Sequence, residues 1–400
     1  MATEKRHLRS GRSVWTEPRP LGKTLTGDLG VDVLIIGGGV TGVLVAERLS
    51  REFAVAVVDQ RGPARGSTTG STGLLLFEID TPLIKLREKI GRDAADRAWR
   101  RSDQAMRELM DRIEENGIDC GMTRCASIYL PGDVLGPDDL REEARARAEC
   151  GLPSQWIDEK ELKSRLAVQG DAAIVSGDSA KVDPVRFALG FLERAIASGT
   201  RCFGNVEVIG LHPCGESVIA TTKSGPKISA RHVVFATGYE LPEYLSAPGG
   251  EIASTWVVAT VQQPLGPDIH SALVWEAADP YHYVRTTDDG RVIIGGEDEG
   301  FDDKEKREAL TPEKAKKLQE KLGALFPALN TSLEYVWSGA FGRTESGLPM
   351  MGVLPGMDNC YAILGFGGSG MTYGMIGSQL VERQIKGQAD PDADLFRFRK

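Results

Sequence analysis

Three glycines, Gly37, Gly39 and Gly42, stand at G-x-G-x-x-G spacing with Val40 and Thr41 between the last two, and an acid, Asp59, follows 22 residues after Gly37. That combination suits a pyrophosphate. Gly37 permits a tight turn, Gly39 lets the backbone approach the phosphates, and Gly42 lets a following helix pack closely on the preceding strand. A helix that opens there points free N–H groups and the positive end of its dipole at the anion. Asp59, with Gln60 beside it, can accept hydrogen bonds from a ribose diol. A second stretch, GSTTGSTG from Gly66 to Gly73 and then Leu74, offers small hydroxyl side chains, Ser67 and Thr68 first, to phosphate or ribitol oxygens.

The elements that must hold these groups are legible around them. Residues 31 to 36 form a mostly aliphatic run of strand length. Val43, Ala46 and Leu49 recur at helical spacing, and residues 55 to 58 form a second apolar run ending on Asp59. This is a β-α-β unit of about the roughly 30 residues expected of a dinucleotide site. Helical spacing resumes after Thr81, in Leu83, Leu86 and Ile90 and then from Ala98 to Ile113. From residue 118 short strands and a charged helix suggest an excursion into a second domain. Asp183-Pro184 reads as a capped helix start. Strands are expected over 201–208, over 231–238, and as a hairpin of 218–222 with 227–229. They are expected again over 255–262, 272–275, 281–285, 291–294, 333–337 and 361–364, with a helix opened by Thr311-Pro312 and a last helix to about residue 386.

Four hundred residues exceed the roughly 250–300 that one core supports, so two domains are expected. The chain carries a net charge of −9 and no long basic run beyond its first dozen residues, which argues against nucleic acid as a partner. No apolar stretch reaches the roughly 18 residues of a membrane span. The N-terminal 19 residues lack an apolar signal core and read as a flexible arm, and a cytoplasmic location is expected. The six cysteines and five histidines show no metal-ligand spacing, so no metal site is expected.

At Ala236-Thr237-Gly238, and more specifically in GLPMMG followed by GFGGSGM near the C-terminus, the chain resembles the D-amino acid oxidase superfamily of FAD-dependent oxidoreductases, which includes glycine and sarcosine oxidases. Within it the sequence is most similar to a bacterial group with a Ser-x-Trp arm (Ser13 and Trp15 here), some members of which carry a Rieske domain that this sequence lacks. The resemblance implies an α/β fold: a Rossmann-like FAD-binding domain with an interleaved antiparallel-sheet substrate domain of α+β character. The expected division is an arm over 1–27, an FAD domain over 28–119, 168–247 and 338–390, and a substrate domain over 120–167 and 248–337. It implies FAD contacts from Gly37, Gly39, Gly42, Asp59, Ser67 and Thr68, with Val208 at the adenine and Ala236, Thr237 and Gly238 in the same pocket. Gly367, Gly368, Ser369, Gly370, Met371 and Thr372 would stand near the ribitol and isoalloxazine. The hydroxyl loop has no His and GRTESGLP no Cys, so the FAD is expected to be noncovalent. Thr372 stands where sarcosine-oxidase-like members have a Lys that serves oxygen activation. Phe341 and Ser346 replace the Arg and Asp of a substrate-binding motif, with Arg343 as a possible substitute.

In a strand over 281–285, Tyr281, Tyr283 and Arg285 share one face. Two phenols and a guanidinium could hold a substrate carboxylate; ordinary cross-strand packing is the alternative. His282, on the other face, reads as a packed or surface residue. The expected reaction is oxidation of a C–N bond in a small amine or amino acid by hydride transfer to flavin N5, with oxygen, a quinone or a Rieske protein as electron acceptor. A dehydrogenase that passes electrons to a separate Rieske or quinone partner and a non-catalytic flavin-binding assembly protein are the alternatives.

Overall fold

The computed structural model describes residues 7–166, 168–240 and 250–398. Two sheets organise them. In the first, five strands run parallel in the order Cys360–Leu364, Lys227–Phe235, Leu29–Ile36, Val55–Asp59 and Arg201–Gly204. Its central strands are apolar without alternation because both faces are covered. Val33 and Ile35 meet the helices Val40–Leu49, Pro184–Ala197 and Gly370–Ile385. Leu34 and Val58 face the other way, onto Phe203, Val218 and Leu354. The second sheet is the larger and runs Arg9–Arg12, Leu333–Thr344, Gly250–Thr260, Val292–Glu299, Tyr283–Thr286, Ala272–Glu276, Thr123–Leu130, Ala172–Lys181 and Leu74–Leu75. Its pairings are antiparallel except that of Ala272–Glu276 with Thr123–Leu130. The helix Lys304–Leu325 packs on one face, with Leu318 and Leu322 against Val258 and Ile294. This is the expected mixed α/β fold. No helix among the described residues is long and apolar enough to cross a membrane.

Several local expectations need revising. Strand Ala172–Lys181 joins the antiparallel sheet; its Ser-Gly-Asp-Ser centre looks like a turn, but Asp178 takes a left-handed φ of +56° within a bulged strand. The expected boundary at 338 falls inside the strand Leu333–Thr344, and those at 167 and 247–248 fall on residues outside the described ones. The helix expected from Thr311-Pro312 begins at Lys304, because Asp303 caps it by accepting from the Lys306 N–H, and Pro312 lies within it. The helical region after Thr81 is broken at Gly91, φ +88°. The strand expected over 281–285 starts at Tyr283.

The arm is not loose where it is described. Arg9 to Arg12 pair with Gly339 to Val336, and Trp15 reaches the hydroxyl loop. There, four consecutive carbonyls are each held by a side-chain donor. Trp337 Nε1 donates to Gly70 O at 3.0 Å and Trp15 Nε1 to Ser71 O at 2.7 Å. Arg285 Nη1 donates to Thr72 O and Gly73 O at 2.8 and 2.9 Å, and to Val182 O at 2.7 Å. The Arg285 guanidinium also lies over the Trp15 ring, 5.4 Å from its centroid. Arg285 is therefore not the substrate group expected from strand alternation. It is 3% exposed, and its donors serve backbone carbonyls, of which Gly73 O also accepts from the Val182 N–H at 2.9 Å. Burial pushes it down to about 10, so it remains charged at neutral pH.

His282 ties the helix Lys304–Leu325 to the sheet. Its Nδ1 and Nε2 lie 2.8 Å from Glu276 Oε2 and 3.1 Å from Glu297 Oε1, and Lys321 and Lys314 from the helix pair with the same two carboxylates. Burial disfavours the imidazolium, but the two carboxylates outweigh it and raise His282 above its ordinary 6.5. Both glutamates are held below their ordinary 4.5 by His282 and the lysines, against their burial.

Two outcomes follow. Arg285→Lys keeps the charge but lacks the fixed planar fork that reaches these carbonyls; unfolding in urea should show a loss of about 1–3 kcal/mol, the range for an unsatisfied buried polar group. An unchanged midpoint would mean that the loop is held by other means. For His282, the imidazole's raised value gives stability that is complete below 6.5 and lost as pH rises through that raised value, while the carboxylates' depressed values give stability lost as pH falls below 4.5. The Tm advantage of the wild type over His282→Gln should thus be large at about pH 6 and small at about pH 9; a constant gap refutes the charged pairing.

Candidate active site

The turns that leave the carboxyl ends of the parallel strands, after Ile36, Asp59, Phe235 and Leu364, open into one cavity roofed by the antiparallel sheet. This is where an open parallel sheet places its ligands. Gly37, Gly39, Val40, Thr41, Asp59, Gln60, Ser67, Thr68, Leu74 and Val208 line it, as do Ala236, Thr237, Gly238 and the run Gly367, Gly368, Ser369, Gly370, Met371 and Thr372. Gly42 and Gly73 do not. A Cβ on Gly42 would come within 1.9 Å of Gly37 O, so that glycine serves the close helix–strand approach. Gly73, φ +70°, packs outward on Val182 O and Arg285.

The residues present fit a dinucleotide. The helices Val40–Leu49 and Gly370–Ile385 both start at the cavity, and neither is capped by a side chain. Their first-turn N–H groups are thus free to meet an anion. Gly39 has only Thr68 Oγ1 within 4 Å of where a Cβ would stand. Gln60 Oε1 and Thr237 Oγ1, both lining groups, are buried without a hydrogen-bond partner among the described residues. Burial raises the Asp59 carboxyl, although Oδ2 accepts from the Gly38 N–H at 2.8 Å and Oδ1 from those of Arg61 and Gly62 at 2.8 and 2.9 Å. Of about four lone-pair directions on a carboxylate, that leaves one for a ribose hydroxyl. Glu240 clamps this corner, accepting from both terminal nitrogens of Arg61 and from Gln60 Nε2. Sequence reasoning passed over the Arg61–Glu240 pair, because nothing local relates residues 179 apart in sequence.

The other end of the cavity is aromatic and acidic. Tyr281 and Tyr283, ring centroids 5.8 Å apart, line it with Trp275, whose indole stacks on Tyr129 at 4.0 Å and donates to Ser127. Burial raises both phenols, so they stay protonated and able to donate. Arg343 does not line the cavity. It pairs with Asp298 at 2.7 Å and with Asp279 at 3.6 Å, and lies over the Phe341 ring at 5.1 Å. Thr372 donates to Leu76 O at 2.8 Å. Glu78, Asp80 and Asp298 are lining residues that sequence reading missed. For two of them a signal existed: Leu74, Leu76, Glu78 and Asp80 all line the cavity, the period of an extended chain, so two acids recur on one face of an apolar run. Asp80 lines the cavity as an exposed residue, and its Oδ2 accepts from the Gly368 N–H at 3.0 Å. Among the described residues no cluster suited to a metal ion is present.

Comparison with known proteins is consistent with this geometry. The chain is 24% identical over 377 residues to "Probable oxidoreductase OrdL" of Rhizobium meliloti, covering 88% of this chain and 82% of the relative. It is 25% identical over 375 residues to the glycine oxidase of Geobacillus kaustophilus, covering 88% and 93%. A crystal structure of glycine oxidase from Geobacillus kaustophilus superposes with a TM-score of 0.77 at 22% identity, over 93% of this chain and 99% of that one. A shorter match, 23% identical over 208 residues, is to "Putative Rieske 2Fe-2S iron-sulfur protein YhfW" of Bacillus subtilis, covering 52% of this chain and 40% of the relative. The model of the family described as "FAD dependent oxidoreductase" matches residues 32–383, and the chain belongs to that family of enzymes, with FAD as its cofactor.

Proposed function

We propose that the enzyme oxidises a C–N bond of a small amine or amino acid. The observation that carries this is the division of one cavity into a glycine-lined end fed by two uncapped helix starts and a closed aromatic end of Trp275, Tyr281 and Tyr283. Similarity to a protein named glycine oxidase supports the substrate class. In this reading the eight-stranded sheet carries the nucleotide and the antiparallel sheet the substrate. Gly37, Gly39, Val40 and Thr41 hold the pyrophosphate. Asp59 and Gln60 face the adenosine ribose and Val208 the adenine, and the hydroxyl loop with residues 367–372 faces the ribitol and ring.

Bound FAD supplies the acceptor for a hydride from the carbon next to nitrogen. The chain's own residues do the rest. The aromatic wall excludes water and sets the direction of the C–H bond, the two protonated phenols donate to polar groups of the substrate, and enclosure disfavours the ammonium form. The attachment residues of covalent flavoproteins are absent, so FAD is held noncovalently. Arg61 is the only Lys or Arg among the described cavity-lining residues, and Glu240 engages it. With no Lys or Arg lining the substrate end among the described residues, and Arg343 paired with Asp298 behind it, we propose an electron acceptor other than oxygen, a quinone or a Rieske protein, in an enzyme that works in the cytoplasm.

Three measurements bear on this. Acid precipitation should release all flavin to the supernatant; flavin in the pellet would refute noncovalent binding. Anaerobic mixing with a panel of amines and amino acids should bleach the flavin with at least one of them, and no bleaching across the panel would remove the C–N reading. With whichever substrate bleaches it, a quinone acceptor should support turnover at least tenfold faster than dissolved oxygen; equal rates would make the enzyme an oxidase.

A further inference from the structure

The groups at the substrate end define the charge of what enters. A carboxylate needs a cation or several N–H donors, and both arginines that could offer one are committed elsewhere. Arg285 holds the hydroxyl loop, and Arg343 stands behind Asp298. What faces the space is acidic. Asp80 makes no ion pair among the described residues. Its Oδ1 and Oδ2 and the Tyr281 hydroxyl converge over Gly368, where a Cβ would lie 3.5, 3.6 and 2.8 Å from them. An independent observation lies deeper in the same wall. Glu78 is 2% exposed, lines the cavity, and has no hydrogen bond to either carboxylate oxygen among the described residues. Arg147 Nη1, 3.7 Å away, is its nearest recorded cation. Trp275, Tyr281 and Tyr283 add π faces, which attract cations and repel anions.

We infer that the substrate is a cationic amine without a carboxylate, received by Asp80 and the aromatic faces of Trp275, Tyr281 and Tyr283, with Asp298 adding acidic character behind them. This deepens the C–N oxidation reading and rests on it. An ammonium that arrives beside Asp80 can pass its proton to that carboxylate, which leaves the neutral amine that hydride transfer requires. A carboxylate in the same place meets Asp80 as a like charge, whereas Glu78 behind it is paired with Arg147.

Matched pairs that differ only by a carboxylate test this: benzylamine against phenylglycine, and putrescine against ornithine. Each is titrated into the anaerobic holoenzyme while two signals are read, the shift of the flavin absorption band on binding and its bleaching on reduction, with the rise in Tm as a second measure of binding. Each amine should bind at least tenfold more tightly than its carboxylated partner. Asp80→Asn should weaken amine binding about tenfold while flavin content and Tm of the ligand-free protein stay near wild type. Equal or tighter binding of both amino acids, or no binding by any of the four, overturns the inference, as does an Asp80→Asn protein that holds flavin and binds the amines like wild type. Should Asp80→Asn lose its flavin, the wild-type pairs still decide. Amine binding with no bleaching by any amine keeps the inference and removes C–N oxidation. Bleaching by the amino acids alone keeps C–N oxidation and removes the inference.

Discussion

The need to satisfy buried carbonyls in one short loop ties this protein together. Residues 66–73 make a single 3-10 turn in which the Ser71 N–H serves Ser67 O and Thr68 O, and among the described residues no backbone N–H is recorded for the carbonyls of residues 70–72. An unpaired carbonyl there carries the full desolvation penalty. The chain answers with donors from three distant places: an indole from the arm, an indole from strand Leu333–Thr344 and a guanidinium from strand Tyr283–Thr286. With the carbonyls drawn to those donors, Ser67 and Thr68 line the cavity. Hydroxyl loop, arm and antiparallel sheet are coupled through this one set of bonds.

The cavity's electrostatics divide along the same seam. On the nucleotide side positive character comes from two helix starts, which are fixed dipoles with no mobile side chain to order. On the substrate side the ionisable groups are carboxyls. In the proposed placement a flavin would have its diphosphate near the first of these helix starts and its ring near the second, beside the acids and phenols. Placement of charge by backbone at one end and by side chain at the other lets the substrate end vary in sequence without disturbing the nucleotide end.

What the sequence made legible depended on range. The glycine turn, its strands and Asp59 are local, and each residue type answers a local geometric demand. Glu78 and Asp80 were legible by alternation and overlooked. Arg285 shows the limit of that rule: alternation states which side of a sheet a residue faces, not which partner on that side its long side chain reaches. Asp298 was hidden by a different cause. Gly296 at φ +136° and Glu297 at φ +59° bulge the strand, and a bulge re-aims the side chains after it. The start of the helix Lys304–Leu325 was misread because Thr311-Pro312 resembles a helix opening, while the actual cap, Asp303, sits eight residues before Thr311.

The ends of the large sheet carry a consequence for assembly. One edge is the four-residue strand Arg9–Arg12, kinked by Gly11 at φ +79°, and the other is shared by the two-residue strand Leu74–Leu75 and the five-residue strand Ser154–Asp158, both paired with Ala172–Lys181. Short or bent edges offer a poor template to a second polypeptide. The arm also shields the middle of a twelve-residue strand, Leu333–Thr344, whose free edge would otherwise invite pairing between molecules. The segment that steadies the hydroxyl loop is therefore a gatekeeper against aggregation as well, so that a change that peels it away exposes a strand edge and frees the loop together.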